Sequence, residues 1–462
     1  MAEQSDGAQS AETRLLGWMR EQRWFAAKTQ ALAGVEIIEQ AAFDDELSLA
    51  VAQVEFANGG HQLYQLLLAR SEGERDGGPA SGPAADSDAE FDALPEPAHA
   101  RTLLSAIEAG HELGGTHGRF YFRHVEGGKE DYPAAANGPV WPIGVEQSNS
   151  SVVFGDRLVL KLFRRLESGI NPDLEMLRFL TAHAYPNIAP LRGWYEYGGE
   201  HLAATLGIVQ RFMPDGVDGW ELALDQIATA EPEFLEKLTT LGVATGQLHS
   251  ALASDTGDPA FSPEAPSAEA VHLLRATLEE EVEHIFTHLP PDDPRLEPIA
   301  GLEEAVRELL TLPTHTPTGY RNIRIHGDYH LGQTLYTPDG WILLDFEGEP
   351  ARPLTLRRAK RSPLRDVAGM LRSFSYAAWA VQIQRGQRVP DGFEERARHA
   401  FLSAYFSEVD PSVLPPTEDR IANLLRIFEL EKALYELRYE LDNRPEWVQI
   451  PVAGLLRLVE AA

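Results

Sequence analysis

Cysteine is absent from the 462 residues, which excludes disulfides, thiolate metal sites and a cysteine nucleophile. Positive charge is scarce: 40 Lys and Arg stand against 71 Asp and Glu, a formal net charge of −31. Such a chain repels a phosphate backbone or an anionic leaflet over most of its surface, and no local basic patch stands out to offset this. Nucleic acid and membrane surfaces are therefore not expected as partners, and the acidity is read as a solubility device. Long apolar runs are lacking too, since no window approaches the roughly 20 residues a membrane helix needs. The opening "MAEQSDGAQSAETR" has neither the basic start nor the apolar core of a secretory signal. A cytoplasmic protein, monomeric or weakly homodimeric, is expected.

What is present is ordinary for a folded protein: 43% apolar and 24% charged residues. The length suggests roughly two to four globular units. A stretch rich in Gly, Pro, Ala and acid, Ser71 to Ala100, is expected to be a linker, as are Glu126 to Pro139 and Ala253 to Ala270. Before the first of these, short apolar runs broken by "DDE" and "NGG" predict a small antiparallel sheet. "RTLLSAIEAG" has helical spacing, "GRFYFRHV" predicts a strand, and more strands follow around a helix up to "GIVQRFMPDG". From about Gly219 onward apolar residues recur at i, i+3, i+4 and i+7, as in "LRDVAGMLRSFSYAAWAVQIQ". Strands first and helices afterwards predict an α+β protein with a sheet lobe and a helical lobe, where a ligand would be expected in the cleft.

The richest stretch is "RIHGDYHLGQ", in which His326, Asp328 and His330 alternate. On a regular strand these three share a face and would offer Zn²⁺ two imidazoles and a carboxylate. Gly327 and Gly332 speak against a regular strand, and no further His or acid completes a hydrolase motif. The competing reading is phosphoryl transfer, which needs a carboxylate for the acceptor hydroxyl, oxygen ligands for Mg²⁺ and a cation on the ATP phosphates. Gln333 follows Asp328 at the spacing of Asp and Asn in the kinase loop H-R-D-x-x-x-x-N. "TLYTPDGWILLDFEGEP" then predicts a hairpin turning at Pro338 to Gly340, which would return Asp345 to the loop as a metal-binding acid.

The cation is sought upstream. In "SSVVFGDRLVLKLFRRLESGINPDLEMLRFL" a hairpin turning at "GDR" ends in Lys161, and a helix bearing Glu175 follows. A strand lysine paired with a helix glutamate is the kinase arrangement. Read alone, Lys161 is equally a surface lysine at a strand end and Glu175 a solvated helix acid. "EQSNSS", Glu146 to Ser151, stands where a Gly-rich loop would cover the phosphates, so Ser148, Ser150 and Ser151 become candidates for nucleotide contact. Gln210 and Phe212, at the end of the last strand, would face the adenine, although an ordinary strand end explains them as well.

These segments, with "PLRDVAGMLRSF", "LLGWMREQRWFAAK" and "NRPEW", resemble the actinobacterial maltokinases, which are aminoglycoside-phosphotransferase-like enzymes. The resemblance implies a bilobal protein-kinase-like fold with a sheet-rich N-terminal cap over 1–90, an intermediate subdomain over 91–144, a nucleotide lobe over 145–213 and a helical C-lobe over 214–462. It implies Asp328 as catalytic base, Gln333 and Asp345 on Mg²⁺, and Lys161 with Glu175 serving the phosphates of ATP. His326 and His330 become structural members of the loop, while Glu347 either assists the metal or shapes the loop. The implied reaction converts maltose and ATP to maltose 1-phosphate, feeding α-glucan synthesis.

For the acceptor sugar, Lys432, Tyr435 and Tyr439 share one helix face, with Glu436 beside Lys432. Sugars stack their flat apolar faces on aromatic rings, so this face is the candidate acceptor site, and the resemblance points to the same helix. Tyrosines packed at the rim of a core would look the same in sequence. Relatives in the superfamily phosphorylate other sugars, so glucosamine is the alternative acceptor. A nucleotide-binding scaffold without catalysis is the lower alternative, opposed by the intact Asp328, Gln333, Asp345 and Lys161.

Overall fold

The computed structural model describes residues 2–70, 89–90, 92–144, 148–200, 202–311 and 319–460. The chain divides into two compact units, one of Met1–Thr181 with Ala189–Pro214 and one of Ala182–Ile188 with Asp215–Ala462.

In the first unit, Leu32–Ala42, Leu47–Phe56 and His61–Arg70 form an antiparallel meander, which Arg165–Leu166 and Ala89–Glu90 extend by pairing with its third strand. The alternation of the middle strand does not leave a wet face. Leu49, Val51 and Leu67 pack with Phe120, Phe122, Leu160 and Tyr195, while Ala50, Val54 and Tyr64 pack with Met19, Trp24 and Phe25 of the N-terminal segment. A second, seven-stranded sheet runs in the order Glu112–Gly114, Gly118–His124, Leu191–Gly199, Ala203–Arg211, Leu158–Phe163, Asn149–Phe154, Val140–Ile143. Buried Gln65 joins the two sheets: its amide donates to the carbonyls of Phe163 and Leu206, and its carbonyl accepts from the Tyr195 hydroxyl at 2.8 Å.

The second unit is helical apart from a small sheet of Val217–Asp218, Thr334–Thr337 and Gly340–Leu343. Its long helices are Glu231–Leu252, Ala268–His288, Leu364–Arg385, Phe393–Glu408 and Glu418–Asn443. No described helix is long and apolar enough to cross a membrane.

Two linker expectations need correction. Residues 71–88 and 91 lie outside the described residues, but the helix Pro97–Ala109 starts before the predicted end of that segment, with proline at its first turn where no N–H is needed. Glu126 to Pro139 is not a bare connection either, because Asp131–Asn137 is helical. Tertiary bonds hold this short helix: Tyr132, fully buried, donates its hydroxyl to the Arg192 carbonyl at 3.1 Å, and Arg192 Nε meets Asp131 at 2.6 Å.

Candidate active site

The "RIHGDYHLGQ" segment forms no regular strand; it is an irregular loop closed by a turn of 3₁₀ helix at Leu331–Gln333. Its backbone donors find a partner far along the chain. Asp366, buried near the start of the helix Leu364–Arg385, accepts from His326 N at 2.7 Å and Gly327 N at 2.9 Å. The same carboxylate meets His249 Nε2 at 3.2 Å, and His249 Nδ1 meets the Tyr405 hydroxyl at 3.0 Å. Burial raises the Asp366 pKa, but the bonds from His249 and Gly327 outweigh it and hold the carboxyl below its ordinary value. Gly369, one helical turn on, lets the backbones meet: a Cβ there would stand 2.6 Å from the Tyr329 carbonyl oxygen. The Tyr329 hydroxyl bonds Thr245 at 2.8 Å. The loop is thus fixed from two helices, leaving Asp328 part-exposed between buried Tyr329 and part-exposed Gly327.

The predicted hairpin forms, with Thr334 opposite Leu343 and Thr337 opposite Gly340. It returns the chain so that Leu344 N donates to the Gln333 carbonyl at 2.9 Å. Asp345 then takes a left-handed backbone, φ 60°, which is unusual outside glycine. Its Oδ2 accepts from Gln333 Nε2 at 3.2 Å, and carboxylate oxygens of Asp345 and Glu347 lie within 4.8 Å of each other. With its nitrogen engaged by Asp345, the Gln333 amide keeps its oxygen for a cation. An amide oxygen and two carboxylates are the hard ligands that Mg²⁺ prefers, so these residues fit the ion.

The imidazoles are otherwise engaged. His326 Nε2 faces the Leu344 carbonyl at 2.8 Å, and its ring packs on Phe346 with centroids 4.9 Å apart. His330 Nδ1 accepts from Gly332 N at 3.1 Å, and burial pushes its pKa down. Both histidines shape the loop, and a zinc cage on them has no support.

In the first unit, Lys161 lies on the strand Leu158–Phe163, on the face opposite buried Leu160 and Leu162. The hairpin before it turns through Gly155 and Asp156, both at positive φ, as the "GDR" turn requires. Lys161 Nζ meets Asp173 Oδ2 at 3.1 Å, at the first turn of the helix Pro172–Ala182 that also carries buried Glu175. The serine loop differs from expectation. Residues 145–147 lie outside the described residues, and Ser150 and Ser151 belong to the strand Asn149–Phe154. The Ser150 hydroxyl accepts from Arg164 Nε at 2.7 Å and Ser151 is buried, so of the three serines only Ser148 is exposed. Gln210 donates its amide to the Ala189 carbonyl at 3.2 Å, and Phe212 meets Trp141 edge to face and gives its N–H to the Arg157 carbonyl at 2.7 Å.

On the helix Glu418–Asn443, Lys432 reaches the Glu349 carboxylate at 2.6 Å, and Arg352 joins the same carboxylate. Burial opposes the charge on Lys432, but Glu349 and Asp328 hold its pKa above the ordinary value. Burial likewise opposes ionisation of Glu349, yet Lys432 and Arg352 bring its pKa down to about 2. Tyr435 and Tyr439 stack at 6.3 Å and 19°, with exposures of 48% and 42%, and the Arg444 guanidinium lies 5.3 Å from the Tyr439 ring. Tyr435, Lys432, Glu349 and Phe428 line a cavity of about 200 Å³. Glu436 is placed differently from expectation: Arg372 grips it through Nε at 3.0 Å and Nη2 at 2.6 Å, so its carboxylate serves the interior of the helical unit.

Residues 140–402 match the model of the phosphotransferase enzyme family, and residues 18–92 match the maltokinase N-terminal cap domain. The chain belongs to the phosphotransferase enzyme family. Among curated relatives, a glucosamine kinase of Mycolicibacterium smegmatis is 27% identical over 337 residues, covering 69% of this chain and 79% of the relative. One of Streptacidiphilus jiangxiensis is 27% identical over 337 residues, covering 68% and 72%. A solved glucosamine kinase in complex with glucosamine, ADP and inorganic phosphate aligns with a TM-score of 0.70 at 19% identity, over 94% of this chain and 96% of that one. A second crystal form gives 0.71 at 19%, over 93% and 95%. At that identity the likeness establishes the fold, which is the kinase-like one expected.

Sequence reasoning about this phosphotransferase missed Asp173, Asp366, Glu349 and Arg372. Asp366, Glu349 and Arg372 are each defined by a partner distant in the chain, and Asp173 by a lysine on the strand Leu158–Phe163. Nothing in "PLRDVAG" as a sequence says that its aspartate holds the backbone of "IHGD".

Proposed function

We propose that this phosphotransferase is an ATP- and Mg²⁺-dependent sugar kinase whose acceptor is glucosamine. The observation that carries the kinase reading is the Gln333–Asp345 bond at 3.2 Å, which leaves an amide oxygen and carboxylates gathered beside the Asp328 loop. In this reading Asp328 takes the proton of the acceptor hydroxyl, while Gln333, Asp345 and Glu347 hold the ion. When bound, Mg²⁺ supplies charge neutralisation on the phosphoryl group. Lys161, with Asp173 and Glu175 on the neighbouring helix, serves the nucleotide phosphates, and Ser148, Gln210 and Phe212 complete the nucleotide contacts. Lys432, Tyr435 and Tyr439 receive the sugar. The division into a cap, 1–90, an intermediate subdomain, 91–144, a nucleotide lobe, 145–213, and a C-lobe, 214–462, belongs to the same proposal.

Glucosamine is preferred because two curated relatives are glucosamine kinases. Maltose is the second reading, with transfer to its anomeric hydroxyl, and the match of residues 18–92 to the maltokinase cap favours it. The stacked Tyr435 and Tyr439 suit the flat faces of either sugar. ADP release with MgATP and a panel of glucosamine, maltose, glucose and trehalose separates the two. Glucosamine should lead in kcat/KM by at least about tenfold, in line with the discrimination that polar substrate groups allow. A lead for maltose would select the second reading, and no release with any sugar would favour a nucleotide-binding scaffold.

A further inference from the structure

Although the chain is acidic as a whole, residues 351–365, "ARPLTLRRAKRSPLR", carry six basic side chains and no acid. The segment that follows "DFEGEP" folds back so that Arg352, Arg357, Arg361 and Arg365, with Lys432, line a cavity of about 40 Å³ behind Gly327 and Gly348. That is room for a small polyatomic ion and not for a sugar ring, given that a water needs on the order of 10–15 Å³. Two carboxylates serve three of these cations. Glu349 is shared between Lys432 and Arg352, and Glu431 between Arg365 and Arg352. Asp366 also borders the cavity, but its oxygens are taken by His326, Gly327 and His249. Arg357 turns protons toward the carbonyls of Arg352 and Glu347, both at 3.1 Å.

Arg361 differs from its neighbours. Among the described residues its guanidinium has no hydrogen bond or ion pair, whereas its backbone is pinned, N to the Ile323 carbonyl at 2.8 Å and carbonyl to Ile323 N at 3.0 Å. Burial and then the charges of Arg365 and Arg352 push its pKa down to about 10, so the protein holds this cation where it is disfavoured. A half-buried guanidinium without a hydrogen-bond partner among the described residues, on a pinned backbone and beside further arginines, is arranged for a planar or tetrahedral oxyanion, which it meets with paired N–H donors.

We propose that this arginine pocket is a binding site for a phosphate-type oxyanion, supplied either as free inorganic phosphate or as the phosphoryl group of a sugar phosphate. The site is separate from the ligands assigned to Mg²⁺ and goes beyond the acceptor reading. A phosphate-type ion here would touch the Glu349–Lys432 pair, and so report phosphate or phosphosugar abundance to the acceptor side of the enzyme.

The test is a titration of the full chain with inorganic phosphate at constant ionic strength, with Mg²⁺ and a non-hydrolysable ATP analogue saturating, read by thermal shift and calorimetry. Phosphate should stabilise the wild type above the chloride control, and Arg361→Ala should weaken that binding at least about tenfold, the loss expected for one charged hydrogen-bonding partner. Arg361→Lys, which keeps the charge without the fork, should fall between. Glucose 6-phosphate in place of phosphate distinguishes the sources: tighter binding identifies a phosphosugar, equal or weaker binding the free ion. A wild-type response no larger than that of chloride overturns the proposal without any variant. So does an undiminished response in Arg361→Ala, or in Arg361→Gln should the alanine variant fail to fold.

Discussion

Replacing Lys161 with alanine removes a cation and leaves Asp173, only 1% exposed, without its partner at 3.1 Å. Breaking a buried pair from one side costs about 3–5 kcal/mol, and loss of a phosphate-directed cation about 10²–10³ in rate. Lys161→Ala should therefore lower both the unfolding midpoint and phosphoryl transfer, whereas Lys161→Arg should recover stability before activity. Equal thermal midpoints for Lys161→Ala and wild type would deny the pairing. Glu349 makes a prediction of opposite kind. Its folded pKa, about 2, lies below the ordinary 4.5, so its contribution to stability is complete above 4.5 and is lost as pH falls from there toward 2. Glu349→Gln should be less stable than wild type near neutrality, and the gap should narrow on acidification through that window in urea unfolding. Spacing made Asp328, Gln333 and Asp345 legible in sequence because they sit on one loop and its hairpin. Asp173 was hidden because helical spacing does not say which acids of the helix Pro172–Ala182 the strand bearing Lys161 meets. Glu436 shows the same limit: helical spacing puts it beside Lys432, but only packing reveals Arg372 behind it.

The helix Leu364–Arg385 acts on the Asp328 loop through Asp366 and through Ser373, whose hydroxyl accepts from Leu331 N at 3.3 Å. Asp366→Ala would strand the N–H groups of His326 and Gly327, together with His249, at a cost of about 2–5 kcal/mol. We expect a lowered unfolding midpoint together with a reduced kcat. Asp366→Asn, which keeps an acceptor oxygen, should retain more of both. A full kcat in Asp366→Ala would show that the loop holds its shape unaided. Long elements such as this helix were visible from periodicity alone, as was the Thr334–Leu343 hairpin from its "PDG" turn. The short helix Asp131–Asn137 was not, since a single turn or two gains little from propensity and depends on Tyr132 and Arg192 to hold it. The middle strand of the cap sheet carried a further signal, an almost wholly buried pattern, that marks a sheet covered on both faces.

At the scale of the molecule, a formal charge of −31 makes self-repulsion a standing cost of the compact state. Salt screens it, with a Debye length near 10 Å at 0.1 M falling to about 3 Å at 1 M, so the thermal midpoint should rise with sodium chloride over that range. A falling midpoint would mean that the ion pairs outweigh the repulsion. Composition made this much plain, but a whole-chain charge averages away the basic run over residues 351–365, which supplies the arginine pocket. The same holds for the chemistry: net charge says nothing of it, and Asp328 is where the account stands most exposed. The most direct measurement is single-turnover phosphoryl transfer from MgATP to glucosamine by the wild type and Asp328→Asn, with nucleotide affinity measured in parallel. The account predicts transfer by the wild type and a loss of at least about 10²-fold in the variant at unchanged nucleotide affinity. Transfer by Asp328→Asn at the wild-type rate would contradict it.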